Sequence, residues 1–277
     1  MQDGRLKTGM LVVPVLMFII GWSSISFFLF ILAVIMLGLK EYFDLTDGMG
    51  FASQRFLGIS GGIMLAAAMF IFDRKTDLNV TGIILSACFI AMFMLPLFRN
   101  ESEKMIESVS ITLGGIFYVS WTIAHAVLLR NMRPFGKNYV FLIFLSIMSI
   151  NAVLEWVEGM KSKGRKKKAG TGTALGLAAA VAAGVVAVIV WQKAIEIIFM
   201  KKQDPSAELF PFIHTVIIGL LLGVFSQAGT FVKNALKLRS RNRHDVILPG
   251  YGDVIDMMSS FQFCVPVMYY YVKLLLT

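Results

Sequence analysis

The chain has 277 residues, 57% hydrophobic and 16% charged, with a mean hydropathy of +0.75 and a formal net charge of +9. A soluble core of this size cannot hide so much apolar surface, which excludes a water-soluble globular enzyme and makes the bilayer the solvent. The apolar runs are continuous rather than alternating with period two, so a β-barrel is excluded as well, and an all-α, polytopic integral membrane bundle remains. The basic residues flank apolar runs and no aromatic-basic surface domain accompanies them. Their role is therefore read as membrane orientation and contact with anionic membrane lipid, with no nucleic-acid partner.

In chain order, the first apolar run extends from Met10 to Leu39 and is broken at Gly21-Trp22-Ser23-Ser24. It is too long for a cleaved signal peptide. Two short spans joined by a tight turn fit it best, with one tilted span as the alternative. Further spans are predicted at 57–72, 80–98, 108–129, 139–157, 173–191, 209–232 and 254–276, giving about nine transmembrane helices. Cys88 and Cys264 lie inside apolar runs and read as packing residues with free thiols. With the N-terminus in the cytoplasm, 17 of the 26 basic residues fall on the inner side, the asymmetry expected of cytoplasmic loops. Neither an internal repeat nor a linker divides the chain, so residues 1–277 read as one membrane domain. Gly61-Gly62, Gly114-Gly115 and Ala66-Ala67-Ala68 suit close helix contact.

Two stretches carry chemistry. In Asn151–Gly176 a basic run, Lys161 to Lys168, precedes Gly170, Gly172 and Gly176 at the opening of an apolar span. It reads as a phosphate cradle or as a solvated flank touching lipid headgroups. It is neither a Walker loop nor a dinucleotide fingerprint. The second stretch, Ser226 to Tyr269, ends an apolar helix in Lys237, Arg239, Arg241 and Arg243. It continues through His244 and Asp245, turns at Pro249-Gly250-Tyr251-Gly252, and re-enters an apolar segment behind Asp253 and Asp256. Carboxylates at the mouth of a span are costly and point to function. Asp253 and Asp256, spaced i,i+3, share a helix face and could hold a metal, or could simply cap a helix N-terminus. His214 inside a span suits an interhelical hydrogen bond, Tyr269-Tyr270-Tyr271 an aromatic belt, and Glu155 either a solvated helix end or a polar cavity.

The second stretch resembles the signature region of the phosphatidate cytidylyltransferases, the CDP-diacylglycerol synthases. In that family S-x-x-G-D-L-x-E-S-x-x-K-R leads to K-D, then I-P-G-H-G-G, then D-R-x-D-S and a span with A-x-P-x-x-Y. Ser226, Gly229, Lys237, Pro249, Gly250, Gly252, Asp256, Ser260, Pro266 and Tyr269 fall in register, and Asp245 is an offset match. Thr230 stands where an Asp is expected, Lys233 for Glu, Asn234 for Ser and Leu238 for Arg. Tyr251 replaces His, Asp253 a Gly, Met257 an Arg and Ser259 the second Asp. Asn151, Gly159, Lys167, Lys168, Gly172 and Gly176 match the family's earlier motifs, with Ala152 for Asp and Met160 for Arg. Arg5, the Gly-Trp break and Glu41-Tyr42 have counterparts nearer the N-terminus.

The resemblance implies a CTP:phosphatidate cytidylyltransferase that forms CDP-diacylglycerol and pyrophosphate, with Mg²⁺ as cofactor. It implies a frame in 1–138 that offers a homodimer surface, and site motifs in 139–277 facing the cytoplasm of a bacterial inner membrane. Asp256, Asp253 and Asp245 would be metal ligands, and Asp256, Asp245 and Lys237 catalytic. Lys167, Lys168, Gly172, Gly250, Gly252 and His244 would bind substrate. The replaced acids equally suit a non-catalytic homologue that keeps the lipid-binding frame as a partner or regulatory subunit. A secondary transporter would need repeat symmetry, which the chain lacks.

Overall fold

The structure, a computed structural model, describes residues 14–72, 80–98, 104–161, 174–200, 208–239 and 253–276; at 95–98 and 158–161 it describes the backbone only. Every regular element among them is a helix. This follows from the solvent, because hydrocarbon offers no partner for a backbone N–H or C=O and each segment must satisfy its own. We number them α1 (14–22), α2 (Ser24–Gly48), α3 (Arg55–Phe72), α4 (Val80–Phe98), α5 (Met105–Asn131), α6 (Gly136–Lys161), α7 (Ala174–Met200), α8 (Phe212–Arg239), α9 (Val254–Gln262) and α10 (Cys264–Leu275). Within α5 and α7 the ladder widens to a π-type turn at Ile116–Trp121 and Glu196–Met200.

Six of these helices are long and apolar enough to cross a membrane: α2, α3, α5, α6, α7 and α8. The predicted figure of about nine is thus not reached by length and composition among the described residues. Helix α4 is apolar along its 19 residues, Val80–Phe98, with side chains described as far as Met94. The final predicted span, 254–276, is interrupted at Phe263 and becomes α9 and α10. Pro266 supplies the reason. In an unbroken helix it could not donate to Gln262 and its ring would press on that carbonyl, whereas a restart at Cys264 puts it in a first turn, where no donor is needed. The break predicted at 21–24 is present. Ser23 is extended (φ −131°, ψ 150°), and its hydroxyl accepts the Ile25 N–H at 3.3 Å to cap α2. Beyond the predicted edge at Leu39, α2 continues to Gly48, so Glu41 lies inside the helix.

The described chain forms two compact units, 1–128 with 233–258, and 129–232 with 259–277, and passes between them within α5, α8 and α9. In the first unit Leu39, Phe43, Leu65, Ile116 and Val119 are fully buried. Small residues let the helices close on them: a Cβ on Gly58 would strike the Phe43 ring, and one on Gly62 the Ser120 hydroxyl. The α2–α3 connection is pinned through side chains of α5. Glu107 accepts the Ala52 N–H at 2.8 Å and Thr112 accepts the Gln54 N–H at 2.9 Å. Arg55 closes the same turn on Asp44 and Asp47, each at 2.6 Å.

Helix α2 stops at Gly50, whose φ is +90°. Phe51 N–H donates to the Thr46 carbonyl at 3.2 Å and Gly50 N–H to that of Asp47 at 2.9 Å, a Schellman closure. Nothing lies within 4 Å of a Cβ at Gly50, so a substitution there costs backbone strain alone. Gly50→Ala is expected to lower stability by about 1 kcal/mol and Gly50→Asn by less, read as thermal unfolding in detergent.

In the second unit α7 and α8 meet backbone to backbone through Gly184, Gly219 and Gly223. Glu196 is wholly buried. Its carboxylate accepts the Leu209 N–H at 3.0 Å and the Gln192 amide at 2.8 Å, and it pairs with Lys193 at 2.9 Å. Gln192 in turn donates to the Phe210 carbonyl and accepts the Thr215 hydroxyl, so this polar knot is internally satisfied. His214 makes the interhelical bond its position suggested, Nδ1 lying 2.7 Å from Tyr271 Oη. The aromatic belt is largely not there: Tyr269 and Tyr271 are buried, and only Tyr270 is exposed. Gly229, in register with the family motif, sits against the Ser259 carbonyl so tightly that a Cβ would overlap that oxygen, with the Phe263 ring at 3.6 Å. Gly229→Ala must drive backbone from backbone. We expect it to cost about 2–3 kcal/mol, seen as a lowered unfolding temperature, with Gly229→Val worse.

Candidate functional site

Of the residues singled out in the final signature stretch, Lys237, Asp253 and Asp256 meet in the first unit. The last turns of α8 carry Lys233 and Lys237, and the start of α9 carries Asp253 and Asp256. The basic end of α8 is where cations are favoured by the helix dipole, and the acidic start of α9 is where anions are. The two ends therefore attract. Lys237 Nζ lies 2.8 Å from Asp253 Oδ2 and 2.6 Å from Asp256 Oδ2. Lys233 Nζ approaches the other Asp256 oxygen at 3.5 Å. The Asp256 carboxylate also accepts the Asp253 N–H at 3.3 Å, which is the returning half of a capping box. The capping role and the cation-binding arrangement thus coexist in one residue.

A third carboxylate, marked in the sequence only by its counterpart in the family, joins the group. Glu41 of α2 is 6% exposed; its Oε1 is 3.7 Å from Lys237 Nζ and Oε2 accepts the Ile255 N–H at 2.8 Å. The signal that could have found it is a carboxylate directly behind the apolar run of α2, at the edge of a span. Lys233, read from the sequence only as a departure from the family pattern, is the other addition. Side-chain exposure falls from 27% at Lys237 to 9% at Asp253, so the ammonium is shielded and its attraction to the acids is little screened.

Asp245, His244, Gly250, Gly252, Lys167, Lys168 and Gly172 lie outside the described residues. Among the described residues no three His, Cys, Asp or Glu side chains form a ready ligand shell. Asp253 and Asp256 nonetheless present oxygens to a single cation. Hard oxygen donors converging on one positive centre are the donor type that Mg²⁺ takes, so these residues fit that ion.

In the second unit the other motif positions are tied to one another. Asn151 Oδ1 accepts the Ser260 hydroxyl at 3.2 Å, and Ser260 lies 3.4 Å from the Thr230 hydroxyl. Thr230 donates to the Ser226 carbonyl at 3.1 Å, and Ser226 to that of Gly223 at 3.0 Å. Glu155 is exposed, the solvated-end alternative.

Residues 3–275 match the cytidylyltransferase family. The chain is 26% identical over 283 residues to the phosphatidate cytidylyltransferase of Bacillus subtilis (strain 168), covering 98% of this chain and 97% of that one. It is 24% identical over 278 residues to the phosphatidate cytidylyltransferase of Synechocystis sp. (strain ATCC 27184 / PCC 6803 / Kazusa), covering 88% and 87%. With nearly every residue inside the match, and the motif lysine and aspartates gathered at one point, the chain belongs to the cytidylyltransferase family.

Proposed function

We propose that this protein transfers a cytidylyl group from CTP to phosphatidate, releasing pyrophosphate and leaving CDP-diacylglycerol in the membrane. A phosphatidate oxygen forms the new bond to the α-phosphorus of CTP as the bond to pyrophosphate breaks. The observation that carries the reading is the placement of Lys237 between Asp253 and Asp256. Asp253 and Asp256, with Asp245, would hold Mg²⁺, which when bound neutralises phosphate charge and polarises the phosphorus. In this reading Lys237 exchanges one carboxylate for a phosphate oxygen, and Lys233 provides a second ammonium for the leaving pyrophosphate. Lys167, Lys168, Gly172, His244, Gly250 and Gly252 would hold the rest of the triphosphate.

The site would open to the cytoplasm of a bacterial inner membrane, with the N-terminus on the same face and anionic lipid around the basic flanks. Glu41 near the end of α2 and Lys237 near the end of α8 are in contact, so both helix ends share a membrane face and an even number of crossings separates them. Five long candidates lie between, α3 and α5 to α8, and this supports counting α4 as the sixth crossing. The helices of 1–138 would form the frame and any homodimer surface.

One observation favours a second reading, a non-catalytic homologue that keeps the lipid-binding frame. Thr230, at a family aspartate position, spends its hydroxyl on the Ser226 carbonyl rather than offering a charge. The deciding experiment incubates purified protein with CTP, phosphatidate and Mg²⁺ and measures CDP-diacylglycerol and pyrophosphate. Stoichiometric formation of both is expected. Absence of turnover together with absence of CTP binding would leave the second reading.

A further inference from the structure

We propose that Glu41 is a positioning residue, holding the acid-bearing first turn of α9 in place over Lys237. The inference rests on the cytidylyltransferase reading for its catalytic consequence, though not for its structural one. The first turn of a helix has donors with no intrahelical partner. Here the Asp253 N–H is taken by Asp256 from within the turn, and the Ile255 N–H is taken at 2.8 Å by Glu41 Oε2, from a residue 214 positions away in sequence. In the packed protein the Ile255 N–H is shut off from solvent, Ile255 being 1% exposed and Val254 8%. The same face of α2 makes the packing contact. Gly38, one turn before Glu41, is small enough for Val254 to lie 3.8 Å from where its Cβ would be, with Val119 at 3.0 Å. Glu41 therefore joins a hydrogen bond on α9 to an approach on Lys237, and fixes where Asp253 and Asp256 stand relative to that ammonium.

The role depends on the reach of the side chain more than on its charge, and two substitutions separate these. Glu41→Gln keeps an oxygen at full length for the Ile255 N–H and removes the charge; Glu41→Asp keeps the charge and is one methylene shorter. In full-length protein in detergent, hydrogen exchange of the 253–262 segment is expected to stay close to wild type in Glu41→Gln. In Glu41→Asp and Glu41→Ala it should quicken by about tenfold or more at the Ile255 amide. Turnover of CTP and phosphatidate should follow the same order, within about threefold of wild type for Glu41→Gln and down by roughly tenfold to a hundredfold for the other two, the cost of a small misplacement. Turnover retained in Glu41→Asp but lost in Glu41→Gln would overturn the proposal in favour of a charge role. Unchanged exchange at Ile255 in Glu41→Ala would overturn it outright. If wild-type protein makes no CDP-diacylglycerol, the cytidylyltransferase reading fails, and the exchange comparison still decides the role of Glu41.

Discussion

Lys237→Met is expected to lower the thermal unfolding temperature and abolish CDP-diacylglycerol formation together. Met matches the aliphatic stem of lysine but takes from Asp253 and Asp256 the ammonium at 2.8 and 2.6 Å, and from Glu41 the one at 3.7 Å, while Asp256 keeps Lys233 at 3.5 Å. Removing one partner from a shielded ion cluster costs about 3 kcal/mol, somewhat less here because Lys237 and Asp256 keep a quarter of their side-chain surface in solvent. Lys237→Arg should recover most of the stability and little of the turnover, since a planar fork cannot occupy the point that a single ammonium shares among three acids. Thermal unfolding in detergent, run beside the turnover assay, checks both. An unchanged melting temperature in Lys237→Met would mean that the acids do not depend on this lysine.

Asp256→Asn separates chemistry from architecture. The amide oxygen can still accept from Lys237 and from the Asp253 N–H, so the loss of stability should stay near 1 kcal/mol. The charge that would bind Mg²⁺ and that balances Lys237 and Lys233 is gone, and turnover is expected to fall by 10²-fold or more, on the order seen when one preorganised electrostatic contact is removed from an active site. Raising Mg²⁺ should recover part of the rate if Asp253 still holds the ion. A variant that turns over like wild type would place the metal chemistry elsewhere and leave Asp256 with its capping role alone.

The helical class was legible because continuous apolar runs in a membrane leave the backbone one economical solution, and the helix limits at 55–72 and 80–98 nearly coincide with the predicted ones. The break at Ser23 was legible from a small polar pair beside Gly21. The division at Phe263 was hidden because hydropathy carries no information on a missing donor, although Pro266 was in plain view. The aromatic belt failed for a related reason: three consecutive tyrosines on a helix point in three directions, and only Tyr270 faces outward.

Of the site, Lys237, Asp253 and Asp256 could be picked from the sequence, since charges at the edge of a span are expensive and these lie close together along the chain. Sequence by itself determined the solvent, the helical class and the family, all of which depend on composition and on short local patterns. Only the tertiary structure decided that Glu41 joins them, that Lys233 faces Asp256, and that one ammonium is shared among three acids. Those pairings depend on how α2, α8 and α9 pack, and packing brings together residues whose separation along the chain carries no trace of their contact.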